Sequence, residues 1–387
     1  MNEPPRKIVV TGILFFYPMA GVTYQFLHYL LGLAALGHDV VYIEDSSRWV
    51  YDPGLNDLTD DATANVMRVV TSLERHGLAG RWAYRNGASA TRTLGMTDRE
   101  IDRWYRDADV LLNVTGSQEI LPQHRQIPVR AYVESDPFMF QVDVVNGVQD
   151  TIDLLDGHTH HLTFGENIGA DDCGIPDTPY RWHTTRQPVF MDLWQGPTVG
   201  RAGYRTITTW RNKGKDRMLD GETYLWTKHV EFERYLDLPS RRPVRFELAV
   251  SNDSEASRVL PANGWLTQPA IDVSTTLESY HDFIVDSTAE FTVARDQYVR
   301  PRTGWFSDRS ASFLAAGRPV ITQETGFSDH LPTGRGLFAF REIDDVLGAI
   351  DAIESDPVSH SETAREIARE YFATDRVLPP LLDALES

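Results

Sequence analysis

A chain of 387 residues, 41% of them hydrophobic, is too long for one small domain and suits two of about 150 to 200 residues with full cores. Lys and Arg total 37 against 56 Asp and Glu, so the net charge is 37 − 56 = −19, a surface expected to repel nucleic acid and anionic membranes as partners. The single cysteine, Cys173, excludes an intrachain disulfide and argues against a Cys-ligated metal. No apolar run approaches the ~20 residues of a membrane span, and Met1-Asn-Glu-Pro-Pro-Arg-Lys7 leads into a strand rather than a leader, so a soluble cytoplasmic protein is expected.

The first strand is expected over Lys7 to Leu14. A helix with an apolar stripe through Val22, Phe26, Tyr29, Leu30 and Leu33 follows over Gly21 to Leu36, and a second strand over Asp39 to Glu44. This βαβ unit implies a parallel sheet. Helices near Asp61–His76 and Thr97–Arg106, strands at Asp109–Asn113 and Val129–Glu134, a helix near Gln141–Leu155 and a strand at His160–Phe164 continue the alternation. The stretch Gly165–Gly203 is rich in Gly, Pro, Asp and Thr and carries the connection between domains near its end. The pattern then restarts: strand Tyr204–Trp210, helix Glu222–Leu236, strand Arg245–Val250, helix Ser274–Phe283 and strand Glu290–Ala294. The tail reads as helices over Ile343–Glu354 and His360–Phe372, with a last one after Pro379-Pro380. The fold class is thus α/β with two doubly wound domains, 1–200 and 201–360, and terminal helices over 361–387.

The most informative segment runs from Gly304 to Phe327. Ser307 and Asp308 are good N-cap residues, Ser310–Ala316 is a short helix, and Gly317 is placed to close it. Val320-Ile321-Thr322 is a strand, and Gln323-Glu324-Thr325-Gly326 is the loop at its carboxyl end. A helix N-terminus beside such a loop suits a phosphate-bearing ligand. The segment resembles the nucleotide-sugar site of GT-B glycosyltransferases, matching at Ser307–Gly317, Pro319-Val320-Ile321 and Glu324-Thr325-Gly326, and the order of elements over nearly the whole chain fits as well. Many retaining members carry Glu-x7-Glu. Gly304 and Ser312 occupy those positions here, so the resemblance does not extend to that subtype or to stereochemistry.

The resemblance implies two Rossmann-like domains facing a cleft, acceptor on the first and nucleotide diphosphate sugar on the second, with no catalytic metal and no other cofactor. The terminal helices would pack back across the domain junction. It places Ser307, Arg309 and Ser310 at the pyrophosphate, and Glu324, Thr325 and Gly326 at sugar or ribose hydroxyls. Arg211 and Lys213, with Lys215 behind them, form the best basic patch in an acidic chain. The resemblance sets them against the diphosphate, where a cation offsets leaving-group charge; the alternative is a solvated turn. Asp308 is read as capping its helix or pairing with Arg309, because a carboxylate repels phosphate. Asp136, just beyond a strand's carboxyl end, is the candidate general base, with Glu134 structural and Asn113–Gly116 a candidate sugar contact. His28 and Glu44 are weaker candidates for the same chemistry.

Other chemistries find little support. The first loop, Gly12–Gly21, lacks Gly-x-Gly-x-x-Gly, and no Gly-x4-Gly-Lys-Ser/Thr occurs, which disfavours dinucleotide and P-loop enzymes. That loop either borders the cleft or is an ordinary strand-to-helix turn. His158, His160 and His161 have no acid or third ligand evident beside them, and Asp171-Asp172 is not a metal motif, so no metal is expected. The expected activity is glycosyl transfer to a hydroxyl or amine of a small molecule, of the kind used in natural product glycosylation. A nucleotide-sugar epimerase, a phosphorylase and a non-catalytic nucleotide-sugar binding homologue are the alternatives.

Overall fold

The computed structural model describes residues 4–87, 93–251 and 253–386. Strand Lys7–Thr11 shows why both faces of its sheet are covered. Ile8 and Val10 enter one apolar core and Val9 enters another, all fully buried, as period-2 alternation between two helical layers demands. The sheet has eight strands in the spatial order 182–184, 160–163, 129–134, 110–114, 7–11, 39–46, 82–86 and 93–95. Every pair is parallel except the last. A second sheet has six parallel strands in the order 266–269, 246–250, 204–208, 289–292, 320–323 and 337–340. In strand Phe246–Val250 the buried side chains again divide between two cores, Ala249 to one and Leu248 and Val250 to the other.

Several elements differ from expectation for identifiable reasons. The expected helix Glu222–Leu236 is instead a hairpin, Arg217–Leu219 with Glu222–Tyr224, followed by the short helix His229–Glu233. Asp220 and Gly221 turn it with φ of 52° and 81°, the pair of left-handed residues that a two-residue hairpin turn requires. The expected helix Gln141–Leu155 breaks into Met139–Val145 and Gln149–Asp156 around Gly147, whose φ is 72°. A second hairpin, Val50–Asp52 with Asp57–Thr59, stands outside the main sheet.

The last helix spans Thr374–Asp383 and runs through Pro379 and Pro380 rather than starting after them. Prolines cost a helix interior hydrogen bonds; here Leu378, Leu381 and Leu382 are buried in the core of the first sheet with Leu30 and Leu33. The helix lies on the first helix, Ala20–Ala35, at Gly32, where a Cβ would come within 2.6 Å of Thr374 and Leu378 side chains. Replacing Gly32 by Ala is expected to destabilise the protein by about 1–3 kcal/mol through overpacking, read as a lower denaturant midpoint with unchanged slope. An unshifted midpoint would show that the two helices separate without cost.

Candidate functional site

Where the two sheets face each other, the loops at the carboxyl ends of their parallel strands enclose a cleft of about 910 Å³. Ile13, Arg48, Thr115 and Asp136 come from loops after four strands of the first sheet. Thr209, Ser251 and Arg295 come from loops after three strands of the second, and Ala270 opens the helix that follows a fourth. The carboxyl edge is where open parallel sheets gather ligands, because loops there are free of the sheet's hydrogen-bond ladder. The cleft wall carries five cations, Arg48, Lys215, Lys228, Arg295 and Arg309, against three carboxylates, Glu134, Asp136 and Asp308. In a chain of net charge −19 this is a local inversion of the field.

Two of the five cations are already spent on carboxylates. Arg295 donates from Nη1 to Asp136 Oδ1 at 3.1 Å, with its guanidinium 3.7 Å from the Trp226 ring centroid. Arg309 donates from Nε to Glu290 Oε1 at 2.6 Å, from Nη1 to the Ile207 carbonyl at 2.8 Å and from Nη2 to Thr292 Oγ1 at 3.0 Å. Among the described residues Arg48, Lys215 and Lys228 have no carboxylate in salt-bridge range. Lys228 is 7% exposed. Burial, then the neighbouring Arg309 and Arg295, hold its ammonium well below the ordinary lysine range. Lys215 lies over the Trp226 ring at 5.0 Å.

Each residue singled out in the sequence has a definite place. Asp136 lines the cleft, and both its hydrogen bonds, from Arg295 and from the Tyr298 hydroxyl, fall on Oδ1. Ser307 is the N-cap of helix Asp308–Ala315 and lines the cleft. Asp308 neither caps the helix nor pairs with Arg309: its Oδ2 accepts from Gln25 Nε2 at 2.9 Å. Ser310 is fully buried outside the cleft lining, and its Oγ has no hydrogen-bond partner.

Arg211 turns away to Glu255, donating from Nε at 2.8 Å, and Lys213 is exposed; the residues of that loop that line the cleft are Thr209, Asn212 and Lys215. Glu324 is 5% exposed, and its oxygens accept from Gly326 N and Ser328 Oγ, each at 2.5 Å. Thr325 Oγ1 donates to the Trp305 carbonyl at 2.5 Å, and Gly326 has a φ of 96° with a Cβ position 2.2 Å from Asn167 Nδ2. The loop Glu324–Gly326 is therefore a buried support for the segment that presents Trp305 and Ser307, not a cleft surface.

The first loop does border the cleft, through Ile13, Tyr17, Met19 and Gly21. Thr115 and Gly116 have φ of 68° and 62°, a strained conformation for a β-branched residue, and a Cβ on Gly116 would sit 2.1 Å from the Tyr132 ring. Asn113 instead braces this loop, donating to the Gln118 carbonyl at 2.7 Å. Glu134 lines the cleft, but Gln141 and Thr163 donate to its oxygens, and burial pushes its carboxyl up to about 8. Glu44 is buried outside the cleft lining with its carboxyl pushed up to about 7, and burial lowers His28 to about 3. His158 and His161 meet the Leu154 and Leu155 carbonyls, and among the described residues no group of three His, Cys, Asp or Glu is placed to hold a metal.

Lys228 and Arg295 escaped the sequence reading. Lys228 was hidden inside the expected helix. Reading Asp220-Gly221 as a hairpin turn would have brought it to a helix start, where it is the residue before His229–Glu233. Arg295 lies three residues beyond strand Ala289–Thr292, at the carboxyl edge, and that position was the available signal.

No protein-family model and no curated protein matches the chain. Solved structures match over its whole length. An α-glucosyltransferase in complex with UDP and a 13-mer DNA superposes with a TM-score of 0.59 at 10% identity, covering 100% of both chains. AviGT4, a glycosyltransferase involved in avilamycin A biosynthesis, gives 0.55 at 13%, covering 99% of this chain and 97% of its own. Anabaena Alr3699/HepE in complex with UDP and glucose gives 0.55 at 10%, covering 99% and 100%. The likeness establishes the GT-B fold expected from the Gly304–Phe327 segment. It also corrects one expectation. Net charge was taken to exclude nucleic acid, yet a protein of the same fold holds DNA alongside UDP. Total charge does not decide what a local surface binds. No helix among the described residues is long and apolar enough to cross a membrane.

Proposed function

We propose that this GT-B-fold chain transfers a sugar from a nucleotide diphosphate sugar to a hydroxyl or amine of a small-molecule acceptor, as in natural product glycosylation, in the cytoplasm. The observation that carries the reading is the locally basic cleft at the carboxyl edges of both sheets. Residues 201–360 would hold the donor, 1–200 the acceptor, and 361–387 would tie the two together.

Ser307 and the free N–H groups that open helix Asp308–Ala315 suit the diphosphate. Lys215 and Lys228, uncommitted to carboxylates, are the cations best placed to offset charge as the nucleotide diphosphate leaves. In the transfer step the bond from the anomeric carbon to the phosphate oxygen breaks, its electron pair leaving with the diphosphate. The acceptor oxygen or nitrogen bonds to that carbon. Asp136 suits the role of taking the acceptor's proton, since Arg295 and Tyr298 orient it through Oδ1 and leave Oδ2 free of any described partner. Arg295 thereby acts as a positioning residue.

The first test is thermal stabilisation by UDP, dTDP, GDP and ADP, with NAD and ATP as controls. A ligand at ~100 times its Kd adds roughly 2.7 kcal/mol. Selective stabilisation by one diphosphate, with slow hydrolysis of its sugar conjugate, is expected; no shift with any of them would sink the proposal. A narrower expectation separates the two basic positions. Arg211→Ala should leave turnover within about threefold of wild type, because surface ion pairs of this kind contribute little and its partner is Glu255 outside the cleft. A hundredfold loss would return Arg211 to the diphosphate.

A further inference from the structure

Among the described residues Arg48 is the one cation that the loops of the first sheet bring to the cleft wall; Lys215, Lys228, Arg295 and Arg309 come from the side of the second. Arg48 is exposed, and no carboxylate lies in salt-bridge range of it. Two contacts fix its guanidinium, which lies 4.6 Å from the Phe16 ring centroid and donates from Nη2 to the Ser117 carbonyl at 2.9 Å. Nε and Nη1 have no hydrogen-bond partner among the described residues. Glu44 senses the charge from behind the wall, but it is buried outside the cleft lining, where burial holds its carboxyl up to about 7.

Beside Arg48 stands an aromatic surface. The rings of Tyr17 and Tyr51 both line the cleft, with centroids 5.0 Å apart and planes 32° apart. Tyr17 belongs to the first loop, and Tyr51 to the hairpin Val50–Asp52 with Asp57–Thr59 that stands outside the main sheet. A two-stranded hairpin is marginal by itself, and this one is held in place by its neighbours. Fully buried Asn65 donates from Nδ2 to the Phe15 carbonyl at 3.0 Å and to the Tyr51 carbonyl at 2.8 Å. The Tyr51 N–H donates to the Phe16 carbonyl at 3.0 Å, and the Tyr51 hydroxyl to Asn56 Oδ1 at 2.9 Å. Leu58 pairs with Tyr51 across the hairpin, so it shares that face, and it is exposed. The apolar surface therefore continues outward from the cleft.

We infer, on the reading of this cleft as a nucleotide-sugar site, that the acceptor is an aromatic carboxylate. Its ring lies against Tyr17 and Tyr51, its carboxylate takes the open donors of Arg48, and a hydroxyl or amine elsewhere on it meets the donor sugar. The planar fork of a guanidinium matches a carboxylate, and offset or tilted ring contacts add affinity that an aliphatic acid would lack. A single cation on this wall suits a singly charged group better than a phosphate monoester, whose charge approaches −2. Arg48 and the two tyrosines bind and orient; they make and break no bond.

The probes are 6-hydroxy-2-naphthoate and its carboxamide, whose own fluorescence reports binding without turnover. The naphthoate is expected to bind the intact protein at least tenfold more tightly than the carboxamide. Arg48→Gln should bring the two within about threefold by weakening the naphthoate alone, and Arg48→Lys should keep part of the preference. Tyr51→Leu should weaken both probes alike, by roughly three- to tenfold, and leave the preference intact. Saturating UDP should change the naphthoate affinity by less than about threefold, because the diphosphate is met by the other sheet's cations.

Equal binding of acid and amide overturns the inference, and so does failure of both to bind. A preference that survives Arg48→Gln, or that UDP abolishes, assigns the carboxylate to Lys215 or Lys228 and overturns it as well. Tighter Arg48-dependent binding of 2-naphthyl phosphate overturns the choice of carboxylate. None of these results bears on the donor, which the diphosphate panel tests separately. If the naphthoate binds as expected but no diphosphate stabilises the protein, the transfer reading falls and the acceptor role falls with it.

Discussion

Replacing Lys228 by Met lowers turnover by about 10²–10³-fold, the range found when one preorganised donor to developing charge is removed from a water-poor site. Three features single this lysine out. The residue is only 7% exposed, so a charge on it is poorly screened. Among the described residues it has no carboxylate partner, so its charge is not already neutralised. It lines the same cleft as the helix N-terminus at Ser307. The variant also separates catalysis from folding. A lone buried ammonium costs stability, and Met fills similar volume without that cost, so the melting temperature should hold or rise while turnover falls. Lys228→Arg, longer and planar, should recover only part of the rate. Turnover within threefold of wild type, in a folded Met variant, would remove Lys228 from the chemistry and leave Lys215 as the remaining second-domain candidate.

Replacing Arg309 by Met has its largest effect on stability instead, lowering it by about 3–5 kcal/mol. Arg309 lines the cleft, but its guanidinium faces the sheet. Glu290 is fully buried in the second sheet, accepts from Arg309 at 2.6 Å and from Thr206 Oγ1 at 2.9 Å, and has an Oε2 with no partner. Removing the arginine leaves a buried carboxylate against apolar strands, which costs more than the pair itself contributes. Glu290→Gln combined with Arg309→Met should therefore restore much of the loss, read as urea midpoints for the single and double variants. If Arg309→Met unfolds at the wild-type midpoint and loses donor affinity, Arg309 is a ligand contact, as the sequence suggested, and the sheet-facing role is mistaken.

The two predictions show what could and could not be read from residues alone. The helix Asp308–Ala315, strand Val320–Gln323 and the parallel alternation around them were legible, because small residues, caps and apolar periodicity act within a few residues of one another. The carboxyl-edge rule also placed Asp136 correctly at the end of its strand. Glu324 looked available because a polar loop after a strand normally is. Its burial comes from Gly326, Ser328 and the packing of Asn167 on the loop, and the last of these lies far away in the chain. The hairpin turned at Asp220-Gly221 was legible and was overridden by a helical spacing of Leu225, His229, Phe232 and Leu236.

By itself the sequence determined the parallel alternation of the central strands and helices of both sheets and the loops at those strands' carboxyl ends, since these follow from local periodicity and turn chemistry, while the hairpins and the edge strands went unread. The tertiary structure decided which charged side chains on those loops face the cleft. Arg211 is drawn off by Glu255, 44 residues away, Arg309 by Glu290, 19 residues away, and Arg295 by Asp136, 159 residues away. A side chain's charge is written in the sequence, but whether that charge is free to meet a ligand depends on which carboxylate the fold sets beside it.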